Sequence, residues 1–147
     1  MTTIACDGMS MAADSLVTGG GERVGWFTKA ARAKDGRIFA CAGSAVDSIK
    51  FERWMGGAEA ESVKLKDEFE ALVLNIDGTI DWVGSDLEPL RYFAPMTIGS
   101  GAGIALGAML AGKTPEEAVM IACQRDIKSG GTVTVVHLDQ HIMKEVA

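Results

Sequence analysis

Three Asp-Gly pairs, Asp7-Gly8, Asp35-Gly36 and Asp77-Gly78, each lie between short apolar or alternating runs. Asp-Gly supplies the positive φ that a two-residue hairpin turn needs, so each pair predicts a β-hairpin. The first joins strands near Thr2 to Cys6 and Met9 to Ala13, the second Ala30 to Lys34 and Arg37 to Ala42, the third Leu72 to Ile76 and Thr79 to Val83. Thr18 to Val24 reads as a glycine-rich loop between the first two hairpins. Antiparallel strands therefore dominate the chain, and its helices must be fitted around them.

Those helices have their own signals. Ala45, Val46, Ile49, Trp54 and Met55 recur at helical spacing and Gly56-Gly57 ends the run, which predicts a helix from Ser44 to Met55. The charged stretch Ala58 to Lys66 reads as one or two helical turns. Ile98-Gly99-Ser100-Gly101 opens a helix over Ala102 to Ala111, with Gly112 as its C-terminal cap. Thr114-Pro115-Glu116-Glu117 combines an N-cap, a first-turn proline and a capping box, and predicts a helix running to Lys128. Thr132 to Leu138 alternates as a strand, paired with a last one at Ile142 to Val146. Hairpins segregated from paired helices imply an α+β class: a four-layer αββα sandwich of two antiparallel sheets covered by helices.

At 147 residues the expectation is a single domain over 1–147, large enough to bury about 70% of its unfolded surface. The net charge of −6, with no Lys or Arg cluster, argues against nucleic acid or an anionic membrane as partner. The longest apolar stretch, Gly101 to Gly112, is too short to span a bilayer. Cys6, Cys41 and Cys123 are odd in number, far apart and set in apolar runs, which suits reduced thiols in a cytoplasmic protein. Asp7 and Asp14 without any basic residue in the first sixteen positions do not suit a secretory signal.

The chemistry centres on Met1-Thr2-Thr3. Removal of Met1 would give Thr2 both a hydroxyl nucleophile and a free α-amine as its base. Asp14 follows the second strand in Ala12-Ala13-Asp14-Ser15, where an acid is commonly a loop-starting cap. Lys29 opens the next strand beside Trp26 and Phe27, which would partly desolvate its ammonium; an isolated lysine there commonly guards a sheet edge. Cys41-Ala42-Gly43-Ser44 ends a strand and starts a helix, so the Gly43 amide faces a place where an oxyanion could sit.

Thr2, Asp14, Lys29, Gly43, the Gly99-Ser100-Gly101 turn and Asp126-Ile127-Lys128-Ser129-Gly130-Gly131, taken in this order, resemble the proteasome β-subunit and HslV-like family of N-terminal nucleophile (threonine) hydrolases. The resemblance spans nearly the whole chain. It implies that Thr2 attacks the scissile carbonyl, that Lys29 lowers nearby proton affinities, and that Asp14 holds Lys29. It further implies an oxyanion hole at the Gly43 amide and an amine oriented by Ser100, Asp126 and Ser129. Val17, Phe27, Cys41 and Ala45 would line the pocket for the residue before the cleavage point and favour apolar side chains. No cofactor or metal is called for. The implied setting is a homo-oligomeric ring that cuts unfolded protein or peptide, with an ATP-dependent unfoldase as partner. The alternatives are an amidohydrolase of the same fold acting on a small amide, and a non-catalytic ring protein that keeps Met1. The sequence departs from the family in a tighter first hairpin and in a stretch from Gly56 to Asp67 too short for a full second helix, which bears on ring assembly and ATPase docking.

Two features compete with that reading. His137 lies in the alternating strand and His141 in the turn after it, with nothing in sequence to pair with either. Gly107-Ala108-Met109-Leu110-Ala111-Gly112-Lys113-Thr114 matches the phosphate-loop pattern letter for letter. Its Ala-Met-Leu-Ala interior is helix-forming, and Glu116 and Glu117 would repel a triphosphate, so a helix-to-helix turn is the expected structure.

Overall fold

The computed structural model describes residues 1–138; the predicted strand over Ile142 to Val146 and His141 lie outside the described residues. Eleven strands and three α-helices form, in chain order, β1 (Thr3–Cys6), β2 (Ser10–Ala13), β3 (Leu16–Gly19), β4 (Glu22–Trp26), β5 (Ala30–Arg32), β6 (Ile38–Ala42), α1 (Ala45–Met55), β7 (Glu70–Leu74), β8 (Ile80–Gly84), β9 (Pro89–Tyr92), β10 (Met96–Gly99), α2 (Ala102–Leu110), α3 (Pro115–Cys123) and β11 (Thr134–His137) among the described residues.

All three Asp-Gly turns form, with Gly8, Gly36 and Gly78 at φ +91°, +94° and +89°. In the first, Cys6 pairs with Met11 and the Asp7 amide donates to Ser10 O, so the turn lies at Gly8-Met9 rather than Asp7-Gly8; the second and third are one residue wider than the predicted two-residue turns. Gly36 N–H donates to Ala33 O and Gly78 N–H to Asn75 O, while Ala33 N–H reaches Arg37 O and Asn75 N–H reaches Thr79 O. Each is a β-turn followed by a left-handed glycine, a geometry that Asp-Gly serves equally well. The Asp carboxylates brace the loops by accepting amides two residues on, as Asp7 does from Met9 and Asp77 from Thr79.

A four-stranded sheet (β10-β1-β2-β11) faces a five-stranded sheet (β5-β6-β7-β8-β9), with antiparallel pairing throughout. The alternation of side chains along each strand builds the layers. Ile4, Cys6, Met11 and Ala13 face Ile38, Ala40, Leu72 and Leu74 across the two sheets. Ala5 and Ala12, pointing the other way, meet Ala105, Ala118, Val119 and Ala122 of α2 and α3, where small residues permit close approach. Phe39, Cys41 and Val73 turn outward to α1, around Phe51, whose ring lies 5.3 Å from that of Phe69. The result is helices, sheet, sheet, helix: the four-layer αββα sandwich expected. Both faces of β1 are sealed, so its four residues are 0% exposed and the chain's start is anchored in the middle of the molecule.

Several boundaries differ from expectation. The stretch read as a glycine-rich loop is a projecting hairpin, β3-β4, turning at Gly20-Gly21, with a bulge at Val17/Thr18. The ambiguous segment after α1 holds a single 3-10 turn, Ala60–Ser62. One helix instead of a pair therefore covers the five-stranded sheet. Strands β9 and β10 form where the sequence pattern predicts none. All four residues of β9 are exposed on an edge strand, so they carry no apolar alternation. Helix α3 ends at Cys123 rather than Lys128, because the Asp126 carboxylate takes the Lys128 amide and two serine hydroxyls, drawing the chain into a turn.

The phosphate-loop look-alike is a helix-to-helix turn. Gly107 to Leu110 lie inside α2, and the amides of Ala111, Gly112 and Lys113 donate to the carbonyls of Gly107, Met109 and Ala108, so none of the three is left for a phosphate. Thr114 caps α3 in a complete capping box with Glu117.

Candidate functional site

Thr2 immediately precedes the sealed strand β1 and is itself only 1% exposed. Asp14 leaves the end of β2, the neighbouring strand, and is completely buried. Its carboxylate is the hub of the site. Oδ1 accepts from Thr2 Oγ1 at 2.9 Å, the Thr3 amide at 3.0 Å and Lys29 Nζ at 2.9 Å. Oδ2 accepts from the Leu16 amide at 3.3 Å and the Gly130 amide at 2.9 Å. Five donors leave this buried charge well compensated.

Lys29 enters from the segment ahead of β5, on the opposite sheet, and spans the sandwich to reach Asp14. Its ammonium also donates to the Met1 carbonyl at 3.1 Å. Burial pushes the Lys29 ammonium below its usual range, against the Asp14 charge and hydrogen bond that raise it. The Met1 amine is likewise held low, first by burial and then by the charge of Lys29, with Asp14 opposing. With Met1 attached, the Thr2 nitrogen is an amide and carries no basic lone pair.

A second cluster closes the far side of the terminus. Ser100 Oγ donates to Asp126 Oδ2 at 2.6 Å and lies 3.3 Å from the Thr2 carbonyl oxygen. A hydroxyl has one proton, so the shorter contact is the donation. Ser129 Oγ also donates to Asp126, and Thr3 Oγ1 joins Ser129 Oγ at 2.7 Å. Burial alone would raise the Asp126 carboxyl; the Ser100 and Ser129 hydroxyls and the Lys128 amide hold it net below the usual carboxylate range. Ser100, Asp126 and Ser129 thus converge on Thr2 and Thr3, through the Thr2 carbonyl and the Thr3 hydroxyl.

Gly43 lies between β6 and Ser44, the N-cap of α1, whose side chain accepts the Asp47 amide. It lines a cavity of about 150 Å³ together with Thr2, Lys29, Val17, Phe27, Cys41 and Ala45. All four residues singled out as a substrate pocket therefore share one cavity with the threonine. Burial drives the thiols of Cys6 and Cys41 upward, that of Cys6 to about 12, so neither competes as a nucleophile at neutral pH. His137 lies at the end of β11, where its carbonyl accepts from Arg32. Among the described residues no group of three or more His, Cys, Asp or Glu is placed to hold a metal ion.

The sequence did not reveal Leu16, Thr18, Ser44 and Ser48, which also line the cavity. For Ser48 a signal existed in its spacing, one helical turn from Ala45 on α1. Nor did it reveal how tightly the Gly99-Ser100-Gly101 turn grips the terminus. Gly99 has φ +97°, and a Cβ there would sit 2.0 Å from the Thr2 carbonyl oxygen; a Cβ on Gly101 would sit 2.0 Å from Thr3 Oγ1. Gly99→Ala must therefore displace the Thr2 backbone as well as strain its own. The expected loss is about 2 kcal/mol or more in a denaturant titration.

No protein-family model and no curated protein matches this sequence. Solved structures do match. BPH of Thiobacillus denitrificans is similar at TM-score 0.70 and 20% identity, and the same protein in complex with epoxomicin at 0.70 and 19%, each comparison covering 94% of this chain and 98% of that one. Eukaryotic HslV from Trypanosoma brucei is similar at TM-score 0.67 and 20% identity, over 92% of this chain and 98% of that one. The chain therefore has an HslV-like fold, a four-layer α+β sandwich.

Proposed function

We propose that the protein is a threonine peptidase whose nucleophile is Thr2 once Met1 is removed. One observation carries this reading: Thr2, Lys29 and Gly43 border one cavity, and the Asp14 carboxylate holds both Thr2 Oγ1 and Lys29 Nζ. Loss of Met1 converts the Thr2 amide into an amine and frees Lys29 from the Met1 carbonyl. An ordinary α-amine titrates near 7.7 to 8.0, and burial beside an ammonium depresses it further, into the range where a general base works best.

The reaction then runs in two steps. Thr2 Oγ adds to the scissile carbonyl carbon while its proton passes to the Thr2 amine. The Gly43 N–H and the Lys29 charge stabilise the oxyanion. Collapse expels the peptide amine, which leaves with that proton, and an ester remains on Thr2. Water adds to the ester with the same amine as base, releasing the acid and restoring the hydroxyl. Asp14 keeps Lys29 in place, and Ser100, Asp126 and Ser129 fix the terminus that bears the amine. Apolar walls from Val17, Phe27, Cys41 and Ala45 flank the residue before the scissile bond.

The wider setting belongs to the same proposal: a homo-oligomeric ring acting on unfolded chains, fed by an ATP-dependent unfoldase, in the cytoplasm. The test compares protein released from an N-terminal fusion so that it begins at Thr2 with protein bearing Met1. The first is expected to cut a fluorogenic peptide and an unfolded protein, and the second to cut neither. Equal activity of the two would remove the amine from the mechanism. Turnover of small amides alone would favour the amidohydrolase alternative.

A further inference from the structure

Beyond the cavity at Thr2 the structure continues into a second space, of about 410 Å³, between α1 and the edge of the five-stranded sheet. The two share Phe27, Lys29, Cys41 and Ser48 as a common wall. On the sheet side, successive rungs line the way outward: Lys29 beside Cys41, then Ala31 paired with Phe39. On the helix side, Ala45, Ser48 and Glu52 follow one another at spacings of three and four, one stripe of α1. Ala45 borders the first space and Glu52 the second, roughly 10 Å further along the helix axis at 1.5 Å per residue. The trough thus has aromatic and small apolar walls and one carboxylate at its outer end.

Two charged groups line this outer space, Lys29 and Glu52. Lys29 is committed to Asp14. Among the described residues Glu52 enters no ion pair. Its charge is felt at the wall between the two spaces: after burial, and against the Ser48 hydrogen bond, it adds to the upward push on the Cys41 thiol. A side chain that fits such a trough has a long apolar stem and a cationic head, which describes lysine and arginine.

We infer that the trough from Thr2 to Glu52 accepts a long basic side chain before the scissile bond, with Glu52 as the residue that selects it. This rests on the threonine-peptidase reading and narrows its substrate class from apolar to basic residues. The stem runs between Phe27 and the α1 stripe, and the head meets the Glu52 carboxylate.

The experiment uses protein beginning at Thr2 and two peptide epoxyketones that differ only in arginine or leucine next to the warhead, with labelling followed by intact mass. The wild-type chain is expected to react roughly tenfold faster with the arginine reagent, and Glu52→Gln to lower the arginine-to-leucine rate ratio by roughly tenfold. Glu52→Lys should invert the preference, and thermal melts of both variants establish that they are folded; Glu52 is exposed on the helix, so they should be. Faster reaction with the leucine reagent, or a ratio indifferent to Glu52, overturns the inference and leaves the nucleophile assignment standing. Absence of labelling by either reagent overturns both.

Discussion

Thr2→Ala, in protein processed to begin at that residue, is expected to lower peptide cleavage by at least roughly 10³-fold while leaving the fold in place. The reasoning separates two roles of one hydroxyl. As a nucleophile it differs from the other hydroxyls of its cavity, those of Thr18, Ser44 and Ser48, in carrying its own α-amine as base; the Thr3 hydroxyl is bound to Ser129, and the Cys41 and Cys6 thiols are held protonated by burial. As a structural donor it is one of five on Asp14, and the remaining four still satisfy that carboxylate. Its removal should therefore cost about 1 kcal/mol of stability, as for an ordinary buried hydrogen bond. Thr2→Ser should retain most activity. A Thr2→Ala protein that still cuts peptides at the wild-type rate would exclude the hydroxyl as nucleophile.

Asp14→Ala should have the opposite signature, with stability failing alongside activity. The substitution strands the buried Lys29 ammonium and removes the acceptor from the amides of Thr3, Leu16 and Gly130, which come from three separate segments. Breaking a buried, hydrogen-bonded ion pair by deleting one partner typically costs about 3–5 kcal/mol. For a domain of this size that lowers the melting temperature by on the order of 10 °C. Lys29→Met, which leaves Asp14 with its other donors, should be milder in stability while still suppressing turnover. A melting temperature for Asp14→Ala within a degree or two of wild type would contradict the hub described here.

The contrast between these variants also marks what the sequence could carry. The Asp-Gly pairs announced three hairpins because a backbone requirement there is met by very few residue types. The capping box at Thr114 to Glu117 announced α3 for the same reason. Strand β9 could not be read, since an exposed edge strand needs neither apolar alternation nor special turns. The early end of α3 was hidden because it depends on hydroxyls from Ser100 and Ser129 that arrive only in the folded chain. The candidate site divides in the same way. Thr2, Asp14, Lys29, Gly43, Ser100, Asp126 and Ser129 could be named through a family resemblance that their order along the chain carries, and they lie around one terminus. Glu52 could not, because an acid midway along an amphipathic helix reads as surface until the sheet edge opposite is known.

Removal of Met1 would connect these arguments, since it would create the amine and release Lys29 from the Met1 carbonyl in one step. The most direct measurement is the intact mass of the purified protein before and after incubation with a peptide epoxyketone, a reagent that needs both the hydroxyl and the free amine of an N-terminal threonine. The account predicts a chain lacking Met1 that gains a single adduct, abolished in Thr2→Ala. A chain that begins at Thr2 yet takes up no adduct from reagents with either apolar or basic side chains would contradict it.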